Sequence, residues 1–386
     1  MSSSERTEVA IVLRRLPEYR VGLLEALRKL LIADAVDLRV LHGEPNAQEA
    51  ARDDEGRLQW AEQLPTRYFL DQRLCWQPVA AKTRTAKLVV IGQQERPGYN
   101  LWAFLPGKPP RFAFWGRGIA ELSSASPPLG WSERFCRSLA FRAHWWFTST
   151  EGGAEQLRRQ GFGRDRITNL ENASDTVALA ERLQGVTTAQ IDAGRRRMGL
   201  KGARVAIFLG ALNEEKRLPF LLQAAEQVLH RVPGFRLLVA GDGPLRPMVE
   251  QAAQSRPWLR FLGRQQGLEK ALALRQSELM LCPGGVGLGI LDAFTAGIPI
   301  VTTNCPGHGP EIAYLRSGEN GLMTDDSMEA YVRAVVALLQ YEEERRRLGV
   351  NAQHVASHFT IENMAQRFRG GIHGALRAAV GPGKLG

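Results

Sequence analysis

Pro283-Gly284-Gly285-Val286-Gly287-Leu288-Gly289-Ile290-Leu291-Asp292-Ala293-Phe294-Thr295-Ala296-Gly297-Ile298-Pro299 lies between two apolar runs, 278–282 and 298–303. This order predicts a strand, a glycine-rich turn, a helix over about 288–296 and a second strand. Glycine lets the backbone approach a ligand closely. A helix N-terminus adds positive partial charge, so a diphosphate fits such a turn. The plainer alternative is a tight strand-to-helix turn with no ligand.

Outward from this stretch the same alternation continues. Runs 204–210 and 235–240 read as strands around a helix at 218–230, with Leu221, Ala224, Ala225 and Val228 on one face. Toward the N-terminus, runs 8–13, 36–41, 87–92, 111–115 and 145–150 read as strands. A helix at 19–31 repeats Leu23, Leu24, Leu27, Leu30 and Leu31 at helical spacing. Continuous apolar runs alternating with helices imply parallel sheets covered on both faces. Asp326 followed by Glu329 predicts a capping box opening a helix to about 348.

The stretch 177–202 is polar and strand-free, which places a boundary near 176–180. The expected organisation is a first domain at 1–178 and a second at 179–360. Residues 361–386 form a helix expected to pack back on the first domain, then a flexible tail. The fold class is α/β, with two doubly wound Rossmann-like domains and an interdomain cleft. Ligands in such sheets bind beyond the strand carboxyl ends.

Composition narrows the function. The chain has 386 residues, 44% hydrophobic and 23% charged, as expected for a globular chain of two domains. No run approaches ~20 apolar residues, and the polar start lacks a signal-peptide pattern. Cys75, Cys136, Cys282 and Cys305 have no paired spacing, and the seven histidines form no metal pattern. A cytoplasmic location with reduced thiols is expected. The net charge of +10 suits phosphates, nucleic acid or anionic lipid, the plainer alternative being an ordinary solvated surface. Basic residues are not interleaved with aromatics, so no nucleic acid partner is expected.

The glycine-rich stretch resembles the nucleotide-sugar site of family 4 glycosyltransferases, whose fold is GT-B. Their pattern runs Glu-Gly-Phe-Gly-Leu, a second Glu, Ala and Gly-x-Pro. This chain has Gly284-Gly285-Val286-Gly287-Leu288, Asp292-Ala293 and Gly297-Ile298-Pro299. Three further segments match in order. Gly210-Ala211-Leu212-Asn213-Glu214-Glu215-Lys216 is similar to the family's Gly-Arg-Leu…Lys turn. Gly241-Asp242-Gly243-Pro244 matches its Gly-Asp-Gly-Pro turn, and Asn172-Ala173-Ser174-Asp175-Thr176 its domain-junction step. The resemblance covers about 140–350 well and the N-terminal third weakly.

The resemblance implies a retaining transfer of a sugar from a nucleotide diphosphate to an acceptor, in bacterial polysaccharide or glycoconjugate assembly, with no metal. Lys216 would hold the donor diphosphate, and Asp292, in place of the second Glu, the ribose. Gly210, Arg217, Gly241, Gly243, Gly285, Val286, Gly287, Leu288 and His308 complete the expected donor site. The chain departs from the pattern at Gly284, where the family has a sugar-contacting Glu, and at Ala211, where it has an arginine. Arg217 stands where a glycine is usual and is a candidate to replace the missing guanidinium. Glu311 is a candidate to replace the missing carboxylate.

In the first domain, Arg117 occupies a position where a histidine often follows the glycine. An arginine is no base at neutral pH, so Arg117 would position phosphate or acceptor. Glu95 and Glu151, each after a strand, are acceptor-side candidates. The acidic pairs Asp53-Asp54 and Asp325-Asp326 read as loop or cap residues. Other readings are a non-catalytic nucleotide- or partner-binding protein, and a sugar-nucleotide epimerase or phosphorylase on the same fold. The expected partners are a nucleotide sugar and a sugar or lipid-linked acceptor. Arg14, Arg15, Arg20, Arg28 and Lys29 around the leucine-bearing helix suggest peripheral contact with an anionic membrane.

Overall fold

Apolar runs flanked by helices form two parallel sheets. The computed structural model describes residues 6–50, 54–69, 74–92, 111–118 and 141–378. The chain divides into two units: Met1–Asn172 with Ile361–Gly386, and Ala173–Thr360.

In the first unit, β1 (Thr7–Leu13), β2 (Val36–His42), β3 (Glu62–Gln63), a small antiparallel pair β4 (Arg67–Phe69) and β5 (Leu74–Trp76), β6 (Leu88–Gly92), β7 (Phe112–Gly116), β8 (Trp145–Thr148) and β9 (Ile167–Asn169) follow in chain order. The main sheet runs β3-β2-β1-β6-β7-β8-β9. Its pairs are parallel, with Val9 opposite Leu38 on one side and Leu88 on the other. Helix α1 (Val21–Ala33) buries Leu23, Leu24, Leu27 and Leu31. Those leucines belong to the core, so α1 offers no apolar face to a membrane. The final helix Ile361–Arg377 joins this unit. Its Phe368 packs on Trp115 and Phe147, and its Arg369 and His373 hold Asp34 at the end of α1. The expected flexible tail lies outside the described residues.

The second unit opens with α2 (Thr176–Gly185) and α3 (Thr188–Arg197). Asp175 caps α2 through Ala178 N–H, so this helix belongs wholly to the second unit. The junction accordingly falls at 172/173 rather than 178/179. The six strands are β10 (Arg204–Leu209), β11 (Phe235–Ala240), β12 (Leu259–Gly263), β13 (Leu279–Leu281), β14 (Ile300–Thr303) and β15 (Gly321–Thr324). They are ordered β12-β11-β10-β13-β14-β15, with parallel pairing throughout. The chain leaves β10 toward one edge, then returns to build the other. That reversal opens a crevice at the strand carboxyl ends.

One helix differs from expectation. Ser327, not Asp326, accepts Ala330 N–H as the cap. The helix Met328–Gln340 ends before Tyr341, and a separate helix covers Glu342–Ala356.

Candidate active site

The glycine motifs first build a platform at the strand ends. A Cβ on Gly241 would stand 1.8 Å from the Gly210 carbonyl oxygen, and Gly241 has φ +152°. The two turns therefore lie backbone to backbone. Leu212 N–H donates to Asp242 O at 2.9 Å, and Leu245 N–H returns to Leu212 O at 2.8 Å. Close packing of turns thus requires Gly241, and Gly243 likewise faces the Leu212 backbone.

Past this platform a 3-10 turn, Glu214–Lys216, meets the glycine-rich loop after β13. Gly285 N–H donates to Glu215 O at 2.7 Å. In return, the Lys216 ammonium donates to Gly285 O. An ammonium carries three donors, so this tether leaves others for a ligand. The helix α4 (Gly289–Thr295) follows, with Ile290 N–H donating to Gly287 O and Leu291 N–H to Leu288 O. The sequence candidates Lys216, Gly285, Val286, Gly287 and Leu288 are thereby brought together.

The loop after β14 closes against the same segment. Val286 N–H donates to His308 Nδ1 at 3.1 Å, and His308 Nε2 donates to Thr303 O at 2.8 Å. This network assigns the neutral tautomer protonated at Nε2. Gly309 N–H donates to Val286 O at 2.7 Å. Glu311, in the 3-10 turn Pro310–Tyr314, is 5% exposed. Its Oε2 stands 4.0 Å from where a Gly287 Cβ would be. His308 and Glu311 therefore both border the glycine-rich loop. Under that loop the buried Cys282 thiol is pushed up to about 11 by desolvation.

Two donor candidates have protein partners. Asp292 Oδ1 accepts Lys270 Nζ at 3.0 Å, leaving Oδ2 as its second acceptor. Arg217 pairs with Asp326, donates to Thr303 Oγ1 at 3.3 Å and lies 4.6 Å over the Phe220 ring. The Asp326 carboxylate raises the guanidinium above its ordinary value. Thr303 Oγ1 in turn donates to Pro283 O at 2.9 Å, at the start of the glycine-rich loop. Arg217 also sits at φ +53°, in the left-handed region. Asp326, read as a loop or cap residue, is the partner of Arg217. The pairings Lys270–Asp292 and Arg217–Asp326 escaped the sequence reading because the partners lie 22 and 109 positions apart.

In the first unit, Arg117 and Glu151 fall on adjacent turns. The Arg117 carbonyl oxygen lies 2.5 Å from where a Gly153 Cβ would be. Glu151 pairs with Arg158 and accepts Asn169 Nδ2 at 3.2 Å. Glu95 lies outside the described residues. Among the described residues, no three or more His, Cys, Asp or Glu are grouped to hold a metal. No helix among them is long and apolar enough to cross a membrane.

Comparison with known proteins finds a family match over part of the second unit. Residues 203–341 match the family described as Glycosyl transferases group 1. A phosphatidyl-myo-inositol mannosyltransferase of Mycobacterium tuberculosis is 28% identical over 204 residues, covering 50% of each protein. A D-inositol 3-phosphate glycosyltransferase of Nocardia farcinica is 27% identical over 259 residues, covering 61% of this chain and 55% of that protein. The chain spans about half the length of the curated relatives it matches. Among solved structures, Anabaena HepE in complex with UDP superposes with a TM-score of 0.69 at 16% identity. That match covers 95% of this chain and 100% of HepE. A glycosyltransferase from Rickettsia africae gives the same TM-score at 11% identity, covering 97% and 100%. These structural likenesses establish the two-domain Rossmann-like fold expected from the sequence.

Proposed function

We propose that this chain, whose second unit carries a group 1 glycosyl transferase domain, moves a sugar from a nucleotide diphosphate to a sugar or lipid-linked acceptor with retention of configuration. The observation that carries this reading is the Lys216 ammonium, tethered to Gly285 where the glycine-rich loop leads into α4. In the reaction the bond from the anomeric carbon to the diphosphate oxygen breaks, and negative charge grows on that oxygen. A positioned cation stabilises such charge as it develops. The acceptor oxygen bonds to the same carbon, and its proton passes to the departing phosphate. No protein base is required, and Arg117 orients the acceptor. Glu311 supplies the carboxylate toward the transferred sugar that Gly284 lacks. Asp292 holds the ribose through its remaining oxygen.

With Lys216 balancing the diphosphate, the reading needs no metal. Transfer is expected to continue in excess chelator. The direct test is nucleotide-sugar turnover by the whole chain. Release of nucleoside diphosphate from UDP- or GDP-sugars, lost in Lys216→Ala with the fold intact, supports it. Donor binding without any turnover favours the non-catalytic reading, which the absence of a side chain at Gly284 motivates.

The reading extends to a cytoplasmic enzyme at an anionic membrane face that carries the acceptor. Because the α1 leucines are buried, such contact is electrostatic and fades as salt shortens the screening length. Vesicle co-sedimentation across ionic strength tests it.

A further inference from the structure

We propose that Arg20 is an anion-binding residue of the first unit, taking a phosphate ester carried by the acceptor. This deepens the transferase reading and rests on it for the word acceptor.

Arg20 ends the 3-10 turn Glu18–Arg20 between β1 and α1. Its guanidinium carbon lies 4.2 Å from the ring centroid of Trp115. Trp115 pairs with Gly92 across β6 and β7. A Cβ on Gly92 would stand 3.9 Å from Arg20 Nη1. The guanidinium therefore covers the carboxyl ends of two neighbouring parallel strands, the side on which doubly wound sheets take ligands. Trp115 is 3% exposed and braced by Phe368, so the platform under Arg20 is rigid.

The charges nearby single this arginine out. Arg14 is paired with Glu49, and Arg15 with Asp54 and Glu55. Arg39 is paired with Glu8 and Glu62. Arg20 has no carboxylate partner among the described residues, and its buried Nε has no acceptor. A guanidinium lying on an aromatic face keeps its in-plane N–H groups for a bidentate partner, and phosphate fits that fork.

The test titrates the whole chain with glycerol 3-phosphate and, separately, with UDP, comparing wild type with Arg20→Gln. We expect saturable glycerol 3-phosphate binding that weakens tenfold or more in the variant, with UDP affinity unchanged within twofold. Independently of the variant's folding, glycerol 3-phosphate should shift the Trp115 indole resonance of the wild-type chain, assigned through Trp115→Phe. Vesicles of phosphatidic acid against phosphatidylcholine show whether the ester is a lipid headgroup or a soluble compound. No saturable binding by wild type, no Trp115 shift, or equal binding by a folded Arg20→Gln would overturn the proposal. Failure of wild type to bind UDP would instead count against the donor reading, leaving Arg20 to its own titration.

Discussion

A Cβ on Gly284 would stand 2.2 Å from the carbonyl oxygen of Glu215. That oxygen is already fixed, because it accepts Gly285 N–H at 2.7 Å. The sugar-contacting Glu of the resembled family therefore has no room here, and the departure at this position has a steric cause. Gly284→Ala should cost about 1–3 kcal/mol of stability, as overpacking against backbone does, and should weaken donor binding. Gly284→Glu should not restore a family-like site. Urea unfolding with nucleotide titration checks both, and an unchanged midpoint in Gly284→Ala would show that the loop has slack.

Lys216→Ala should lower turnover roughly a hundredfold, about 3 kcal/mol, as removal of one donor to a developing oxyanion does. The lysine is half-buried and its hydrogen-bond acceptor among the described residues is a backbone carbonyl, so circular dichroism and the melting temperature should change little. Turnover equal to wild type at saturating donor would make Lys216 a loop staple only.

Arg217 occupies the left-handed region at φ +53°, where a side chain costs about 1–2 kcal/mol. Its pair with Asp326 is partly exposed, and such pairs contribute roughly 0–1 kcal/mol. The backbone effect is the larger. Arg217→Gly should therefore be as stable as wild type or slightly more so, whereas Arg217→Ala should be less stable than either. Denaturant midpoints of the three chains decide it, and a clear loss in Arg217→Gly would mean that the ion pair outweighs the backbone.

Asp34 is held well below the usual carboxylate range, first by Arg369 and then by His373. A depressed folded value means that the pair contributes stability above the unfolded pKa, near ~3.9, and loses it as pH falls toward the folded value. Asp34→Asn should therefore be less stable than wild type at pH 7, and the gap should narrow below about pH 4. Melting temperatures of both chains across pH 3–7 measure this. A gap that stays constant would show that Asp34 acts through its hydrogen bonds alone.

The strands legible in advance share one property. Residues 204–210 and 235–240 are central in their sheet, and their structured parts, Arg204–Leu209 and Phe235–Ala240, are largely buried. Of the strands not anticipated, Arg67–Phe69 and Leu74–Trp76 pair with each other, and Glu62–Gln63, Ile167–Asn169, Leu259–Gly263 and Gly321–Thr324 are the four edges of the two main sheets. An edge strand is covered less fully, so Leu259-Arg260-Phe261-Leu262-Gly263 carries an arginine and Gly321–Thr324 is mostly half-buried. Periodicity and apolar runs report burial, and these strands gain their pairing only from a neighbour.

The sequence by itself determined the alternation of strand and helix and the glycines where turns meet backbone to backbone. It also determined the order of the motifs along the second unit. These follow from short-range rules, because side-chain periodicity and backbone freedom act over a few residues. Only the tertiary structure decided which charges are occupied. Arg217 is held by Asp326, 109 positions away, and Asp34 by Arg369, 335 positions away. It also decided that Gly284 must stay bare beneath Glu215 and that Arg20 lies over Trp115 with no carboxylate partner among the described residues. An ion pair, a steric exclusion or an unpaired guanidinium depends on atoms brought within a few ångströms by the whole fold, and spacing along the chain carries no record of that distance.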